Sequence, residues 1–348
     1  MKIGIIGTAF VGKTTIFNLL TGTSDEEKGQ PGETKLVKVK DPRVTRLSGM
    51  YKPKKTTYAA LEFTDTYGLD AQAGAKERNR VFSMIQKVES LLWVIGNHDQ
   101  AFKGALEQFE EIRTEIILHD LELVENRKTS LENAKKKLEK DEEKELEILK
   151  TLYESLEGED WPNRSDYDGE QLKLISSLGL FTLKPSIVLI NSDEDQFTES
   201  SPEKVKIRDM AKQYNFGYIE ICGKYEMEIN ELDEAEKREF LKELDLNESG
   251  IDRLTRVVYE YVGLISFFTV GDDEVRAWTI EKGLNAKKAA GKIHSDLERG
   301  FIRADVMKYD DLARYGSESA LRNEGLYYTE GKEYIVKDGD IINIRFNV

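Results

Sequence analysis

The run Gly7-Thr8-Ala9-Phe10-Val11-Gly12-Lys13-Thr14 matches G-x-x-x-x-G-K-[ST] and constrains the fold more than any other feature of the chain. It follows a short apolar β run over residues 2–7 and precedes a helical pattern from Lys13 to about Leu20, with Ile16, Phe17, Leu19 and Leu20 apolar. Strand, glycine loop and helix in that order open an α/β nucleotide fold. Successive backbone N–H groups of such a loop point inward at phosphate oxygens, an approach that side chains at Gly7 and Gly12 would obstruct. Ala9, Phe10, Val11, Gly12, Lys13, Thr14 and Thr15 are therefore the expected phosphate-binding run, with Lys13 reaching the β/γ-phosphates and the Thr14 hydroxyl offered to Mg²⁺.

Three later strings fall where such a fold needs them. Asp65-Thr66-Tyr67-Gly68 follows the apolar run Tyr58–Phe63. An acidic residue there can hold Mg²⁺ through water, and Gly68 can present its N–H to a γ-phosphate. Asn191-Ser192-Asp193-Glu194 follows the apolar run 187–190, where a GTPase carries N-K-x-D. Glu194 stands in place of the Asp, and its longer carboxylate does not simply repeat a bidentate contact with guanine, so the base preference stays open. Cys222-Gly223-Lys224 ends the next apolar run, where backbone N–H groups contact the base. Further buried strands are expected at 90–95, 186–190 and 218–222, separated by helices as a parallel sheet requires.

The intervening stretch from about Lys103 to Leu156 contains no proline, and 15 of the 25 residues from Glu125 to Leu149 are charged. Leu121, Val124, Leu131, Ala134, Leu138 and Leu149 recur at mostly three-, four- and seven-residue steps, which predicts an antiparallel helical hairpin or coiled coil. Both charge signs are mixed along it, which reads as a solvated face and not as a nucleic-acid arm. After about Ser266 short strands are expected at 267–270, 274–280, 301–307, 334–336 and 340–346, with one helix over 286–297. That pattern is a small α+β domain. Phe267, Phe268 and Trp278 read as core residues there, while Lys292, His294, Arg299 and Arg303 fit either an RNA-facing patch or a solvated rim.

Composition removes other classes. The formal charge of −15 argues against nonspecific binding of duplex DNA. One cysteine excludes an intramolecular disulfide and fits a reducing cytoplasm, and three histidines leave little for a His-built metal site. No apolar run reaches 18 residues, so no membrane span is expected, and the amino terminus reads as a buried strand instead of a signal peptide.

With these residues in view, the chain resembles the Obg-like ATPase family, the YchF subfamily of translation-factor-related P-loop GTPases, over nearly its whole length. The resemblance rests on Asp41-Pro42-Arg43, Lys52-Pro53, Glu62-Phe63-Thr64-Asp65 and the N-x-x-E at Asn191–Glu194. It is most specific at the carboxyl end, in Phe267-Phe268-Thr269, Glu274–Thr279, Ala290–His294, Gly300–Ala304 and Tyr334–Asp340. The resemblance implies a TGS-like β-grasp at the carboxyl end, a helical insertion within the nucleotide domain, ATP preferred over or accepted beside GTP, and ribosome-associated or stress-related roles. It also implies that Thr34 is the Mg²⁺-binding switch threonine and that Leu69 occupies the place of the water-orienting glutamine of Ras-like enzymes. A leucine cannot hydrogen-bond water, so slow basal hydrolysis, raised by a partner, is expected. Departures are Phe10 in place of the family's Asn, which argues against potassium activation, a shortened stretch over 30–40, and a shortened segment around Asn97-His98-Asp99-Gln100 that does not clearly match the family's acidic–histidine loop.

The expected organisation is α/β: a P-loop nucleotide domain (1–102 and 171–265), a helical coiled-coil insertion (103–170) and a β-grasp domain (266–348). The expected activity is Mg²⁺-dependent ATP or GTP hydrolysis by a cytoplasmic monomer. Alternatives are a hydrolysis-deficient nucleotide-binding adaptor, motivated by Phe10, Leu69 and the short switch, and a GTP-preferring GTPase.

Overall fold

Short β-branched and aliphatic runs separated by glycine or acidic turns form twelve strands among the described residues. These are β1 (Lys2–Ile6), β2 (Thr34–Lys38), β3 (Lys55–Thr57), β4 (Ala60–Thr64), β5 (Ser90–Asn97), β6 (Ser186–Ser192), β7 (Gly217–Ile221), β8 (Leu264–Thr269), β9 (Glu274–Glu281), β10 (Phe301–Lys308), β11 (Tyr328–Glu330) and β12 (Asp340–Phe346). The structure is a computed structural model and describes residues 1–23, 31–69, 75–98 and 103–347, with the side chains of 75–77 outside that description. Gln30, Asp99 and Gln100, which belong to two of the shortened segments, therefore lie outside the described residues. The chain divides into two units: residues 1–36 with 62–254, and residues 37–61 with 255–348.

In the first unit the sheet runs β2-β4-β1-β5-β6-β7. β1 pairs parallel with β4 and β5, β5 with β6, and β6 with β7. β5 and β6 are buried almost throughout, as strands covered by helices on both faces must be. One cluster joins Ile6, Trp93, Ile95, Val188 and Ile190 of the sheet to Phe109, Ile112 and Ile116 from the first half of the long helix Ala105–Glu132. The second half of that helix leaves the sheet and packs against the helix Lys140–Glu157. Val124, Leu131, Leu149, Leu152 and Leu156 form their separate core. The expected hairpin is thus present, but its first three turns or so belong to the nucleotide core, and its own core extends to Leu180 and Leu183.

The second unit has the order β11-β10-β12-β8-β9-β3. Its antiparallel β8–β9 pair precedes the helix Ala286–Ile293, and the last strand β12 lies beside β8, to which it runs parallel. This is the β-grasp arrangement. Phe267 and Phe268 are fully buried, and half-buried Trp278 packs on the core around Phe267 with the Arg276 guanidinium 3.9 Å above its ring. The expected single helix over 286–297 breaks at His294, whose extended backbone and ring nitrogen, accepting from the Asp296 N–H at 3.2 Å, start a second short helix, Ser295–Arg299. Residues 334–336 are not a strand. Residues 328–330 take the outer position instead, antiparallel to β10.

A second correction concerns residues 37–61, expected within the nucleotide domain. β3 adds to the free edge of β9 in parallel, with Lys55 opposite Glu274 and Thr57 opposite Arg276. Arg43 reaches Asp338 at 2.5 Å while its Nε and Nη2 bond Asp41, and Asp338 also accepts the Ser266 N–H at 2.9 Å. Because strand pairing and a partly exposed ion network tie this segment to the carboxyl-terminal sheet, it groups there despite its place in the chain.

Candidate functional site

The loops after β1, β4, β6 and β7 converge at the carboxyl ends of parallel strands, where open α/β sheets bind ligands. Gly7 is packed so tightly that a Cβ there would sit 2.4 Å from the Val94 carbonyl oxygen. Gly12 has φ +89° and begins the helix Lys13–Thr21. Between them Phe10 takes φ +63° with its ring exposed, and Ala9 is exposed as well, so this stretch of loop faces outward while Val11 anchors inward. The helix has no side-chain cap at its amino end. Its first N–H groups are thereby left for a ligand, and the helix dipole favours an anion there.

Lys13 is buried and donates to the Thr8 carbonyl at 2.6 Å. Burial lowers its ammonium to about 8, against the attraction of Asp65. The Thr14 hydroxyl donates to Asp65 Oδ2 at 2.9 Å, and Asp65 Oδ1 accepts the Thr66 N–H. Asp65 is fully buried, and desolvation pushes its carboxyl up although both hydrogen bonds pull it down. The two expected metal ligands Thr14 and Asp65 are therefore already in contact. Thr34 is not joined to them: its hydroxyl pairs with Thr64 at 2.8 Å. Thr15 is half-buried in the first helical turn. A hydroxyl and a buried carboxylate are the hard oxygen donors that Mg²⁺ takes, and this ion keeps several waters and phosphate oxygens as its remaining ligands. No group of three or more His, Cys, Asp or Glu that could hold a metal occurs among the described residues.

Gly68 lies against Ala9, where an added Cβ would meet the Ala9 N and Cα at 3.0 Å, so the Asp65–Gly68 loop touches the phosphate loop directly. Leu69 donates its N–H to the Gly7 carbonyl at 2.9 Å, and its side chain is 1 % exposed within the sheet core. The residue at the glutamine position thus points into the protein. His98 is half-buried at the end of β5.

Asn191 holds the base side to the phosphate side. Its Nδ2 donates to the Val11 carbonyl and its Oδ1 accepts the Gly223 N–H, both at 3.1 Å. A Cβ on Gly12 would lie 2.4 Å from Asn191 Nδ2, and one on Gly223 would lie 2.9 Å from Asn191 Oδ1. Glu194 opens the helix Glu194–Thr198 and accepts from Lys224 at 2.6 Å. Cys222 is buried, and its thiol is pushed up by that burial. The sequence pattern names Asn191, Glu194 and Cys222 but does not foresee the Lys224–Glu194 pair. The only hint is that the two, of opposite charge, each follow within three residues of the end of a neighbouring strand.

Comparisons with known proteins place the chain among its relatives. The family model for 50S ribosome-binding GTPases matches residues 2–136, and YchF-GTPase_C, described as a protein of unknown function, matches residues 264–347. The chain is 39% identical to the ribosome-binding ATPase YchF of Bacillus subtilis over 99% of each chain. It is 36% identical to that of Pasteurella multocida over 100% of this chain and 99% of the relative. It also superposes on the YchF GTPase of Schizosaccharomyces pombe with a TM-score of 0.87, at 30% identity, over 99% of this chain and 97% of that one. Matched end to end, and with its phosphate loop, Asp65–Gly68 loop and Asn191–Glu194 loop assembled at one sheet edge, the chain belongs to the YchF family.

Proposed function

We propose that the chain is a Mg²⁺-dependent nucleoside triphosphatase, with ATP before GTP, that acts as a conformational switch on the ribosome in the cytoplasm. The observation that carries the reading is the Thr14–Asp65 contact beside the buried Lys13, one phosphate loop away from the Asn191–Gly223 bridge. The backbone N–H groups of residues 9–15 bind the phosphates, and Lys13 turns from the Thr8 carbonyl to the β/γ-oxygens. Thr14 directly, and Asp65 through water, would hold Mg²⁺, which would supply positive charge against the phosphoryl group. Gly68 senses the γ-phosphate, Thr34 would be the switch ligand of the metal, and Asn191, Glu194, Cys222 and Gly223 frame the base. The ribosome enters through the relatives, which are named ribosome-binding ATPases. That no described helix is long and apolar enough to cross a membrane is compatible with the location.

Calorimetric titration of the nucleotide-free protein with non-hydrolysable ATP and GTP analogues tests the nucleotide reading, with and without Mg²⁺. Expected is Mg²⁺-dependent binding, tighter for the ATP analogue, and co-sedimentation with purified ribosomes in one nucleotide state only. Tighter binding of the GTP analogue would make this a GTPase. The buried Leu69 favours one second reading, a nucleotide-binding adaptor. Binding without turnover, even with ribosomes present, would establish it.

A further inference from the structure

The helical insertion carries a half-open groove of about 650 Å³ that the nucleotide site does not use. One wall is a stripe of the helix Lys140–Glu157, with Lys144, Ile148, Thr151 and Ser155 at helical spacing. The other is the returning segment from Trp161 to Leu174, which includes the turn Arg164–Asp166 and the helix Gly169–Ile175. The apolar surface comes from Ile148, Trp161, Tyr167 and Leu174. Trp161 is half-buried because one side of its indole packs edge-on against Trp93 at 5.6 Å and Phe216 at 5.1 Å.

The charge lining the groove is one-sided. Glu147, Asp166, Asp168 and Glu170 border it, against the single ammonium of Lys144. Asp168 caps its own helix through the N–H groups of Glu170 and Gln171, and Glu147 pairs with Lys150. Asp166 and Glu170 are exposed and take part in no ion pair among the described residues. A phosphate backbone is repelled by such a rim. A positively charged protein segment is attracted by it, and the apolar floor then holds aliphatic side chains. The stripe from Lys144 to Ser155 spans about 17 Å of helix, which is room for roughly three turns of a ligand helix with anchors at i, i+4 and i+7.

We infer that this groove binds a basic amphipathic protein segment that seats aliphatic side chains against Ile148, Trp161, Tyr167 and Leu174 while its lysines or arginines face Asp166 and Glu170. The assignment stands on the insertion alone and does not depend on which nucleotide is hydrolysed.

The test is calorimetric titration of the full chain, at near-physiological salt, with a tryptophan-free 18-residue peptide that places leucine and lysine at helical spacing. A one-to-one complex that shifts tryptophan emission is expected. Its Kd should rise at least tenfold in the double variant Asp166→Lys/Glu170→Lys and also in Thr151→Arg, where the exposed threonine gives way to a cation that fills the groove. The double variant Glu234→Lys/Glu239→Lys, on the exposed face of the helix Glu234–Glu243, should leave it within twofold. Equal weakening by both double variants would mean attraction to overall negative charge and would overturn the assignment. So would equal affinity for a peptide with every leucine replaced by serine, or displacement of the leucine–lysine peptide by an oligo-uridine of similar length.

Discussion

The Lys224 ammonium sits 2.6 Å from a Glu194 carboxylate oxygen, joining the first turn of the helix Gly223–Glu231 after β7 to the helix Glu194–Thr198 after β6. Both side chains are substantially exposed, so solvent screens the pair and it adds little to folding. Its consequence lies in recognition. Guanine offers two adjacent donors, which ask for both oxygens of a carboxylate, whereas the adenine amino group asks for one acceptor.

On the proposed reading, in which Glu194 faces the base, the oxygen held by Lys224 leaves one acceptor free and favours adenine. Lys224→Ala is expected to raise guanine affinity relative to adenine by roughly three- to tenfold, or about 1 kcal/mol. Competitive calorimetry with the two non-hydrolysable analogues reads this ratio directly. An unchanged ratio would place base selection elsewhere.

Asn191 satisfies Gly223 N–H and Val11 C=O at once. Asn191→Ala leaves both backbone groups without that partner in a buried place, at a cost of about 1–3 kcal/mol, and nucleotide affinity should fall at least tenfold. Asn191→Asp keeps the acceptor for Gly223 but turns an oxygen toward the Val11 carbonyl. Denaturation midpoints should therefore rank wild type above both variants, with Asp no better than Ala. An Asp variant as stable as wild type would contradict the donor role.

Lys13 gives nucleotide binding a pH signature. Its ammonium loses a proton near 8 in the free protein, below the usual 10.5, because of burial. Below that pH the folded chain carries the full cost of a desolvated charge. Between about 8 and 10.5 the unfolded chain holds more protons, so this group's contribution to stability rises with pH. A bound triphosphate stabilises the charged form, so binding takes up a proton over the same range. Affinity should be flat below pH 8 and fall by about tenfold per unit above it. Titrations in buffers of different ionisation heat measure the proton uptake, and none at pH 9 would refute the shift.

Leu69 is part of the core beneath the site. Leu69→Gln is expected to cost about 2 kcal/mol by burying an unpaired amide, and to leave turnover no faster than wild type. Urea unfolding and single-turnover hydrolysis check the two halves. Faster hydrolysis would show that the side chain swings out toward the phosphate.

Much of this was legible in the chain because its signals are local. Phosphate loops need glycine at fixed steps beside one lysine, so Gly7, Gly12, Lys13 and Thr14 announced themselves, and strand ends placed Asp65, Asn191 and Cys222 within one site. The helical hairpin followed from apolar spacing. Its division did not, because nothing in a continuous amphipathic pattern marks where Ile116 leaves the sheet core and Ile117 enters the hairpin core. The break at His294 was equally hidden, since an N-cap histidine resembles any polar helical residue.

The sequence by itself determined the nucleotide chemistry, for the reason that backbone geometry at a phosphate restricts which residues can stand there. Tertiary structure alone decided three things. Residues 37–61 group with the carboxyl-terminal unit, because β3 finds its hydrogen-bond partners on β9 and Arg43 finds Asp338, 295 residues away. Leu69 faces inward, because the Gly7 carbonyl fixes its backbone. Lys224 meets Glu194, because β6 and β7 are neighbours in the sheet and bring 30 residues of separation down to one ion pair. Each is a long-range pairing, and pairing partners are chosen by the folded sheet and not by spacing along the chain.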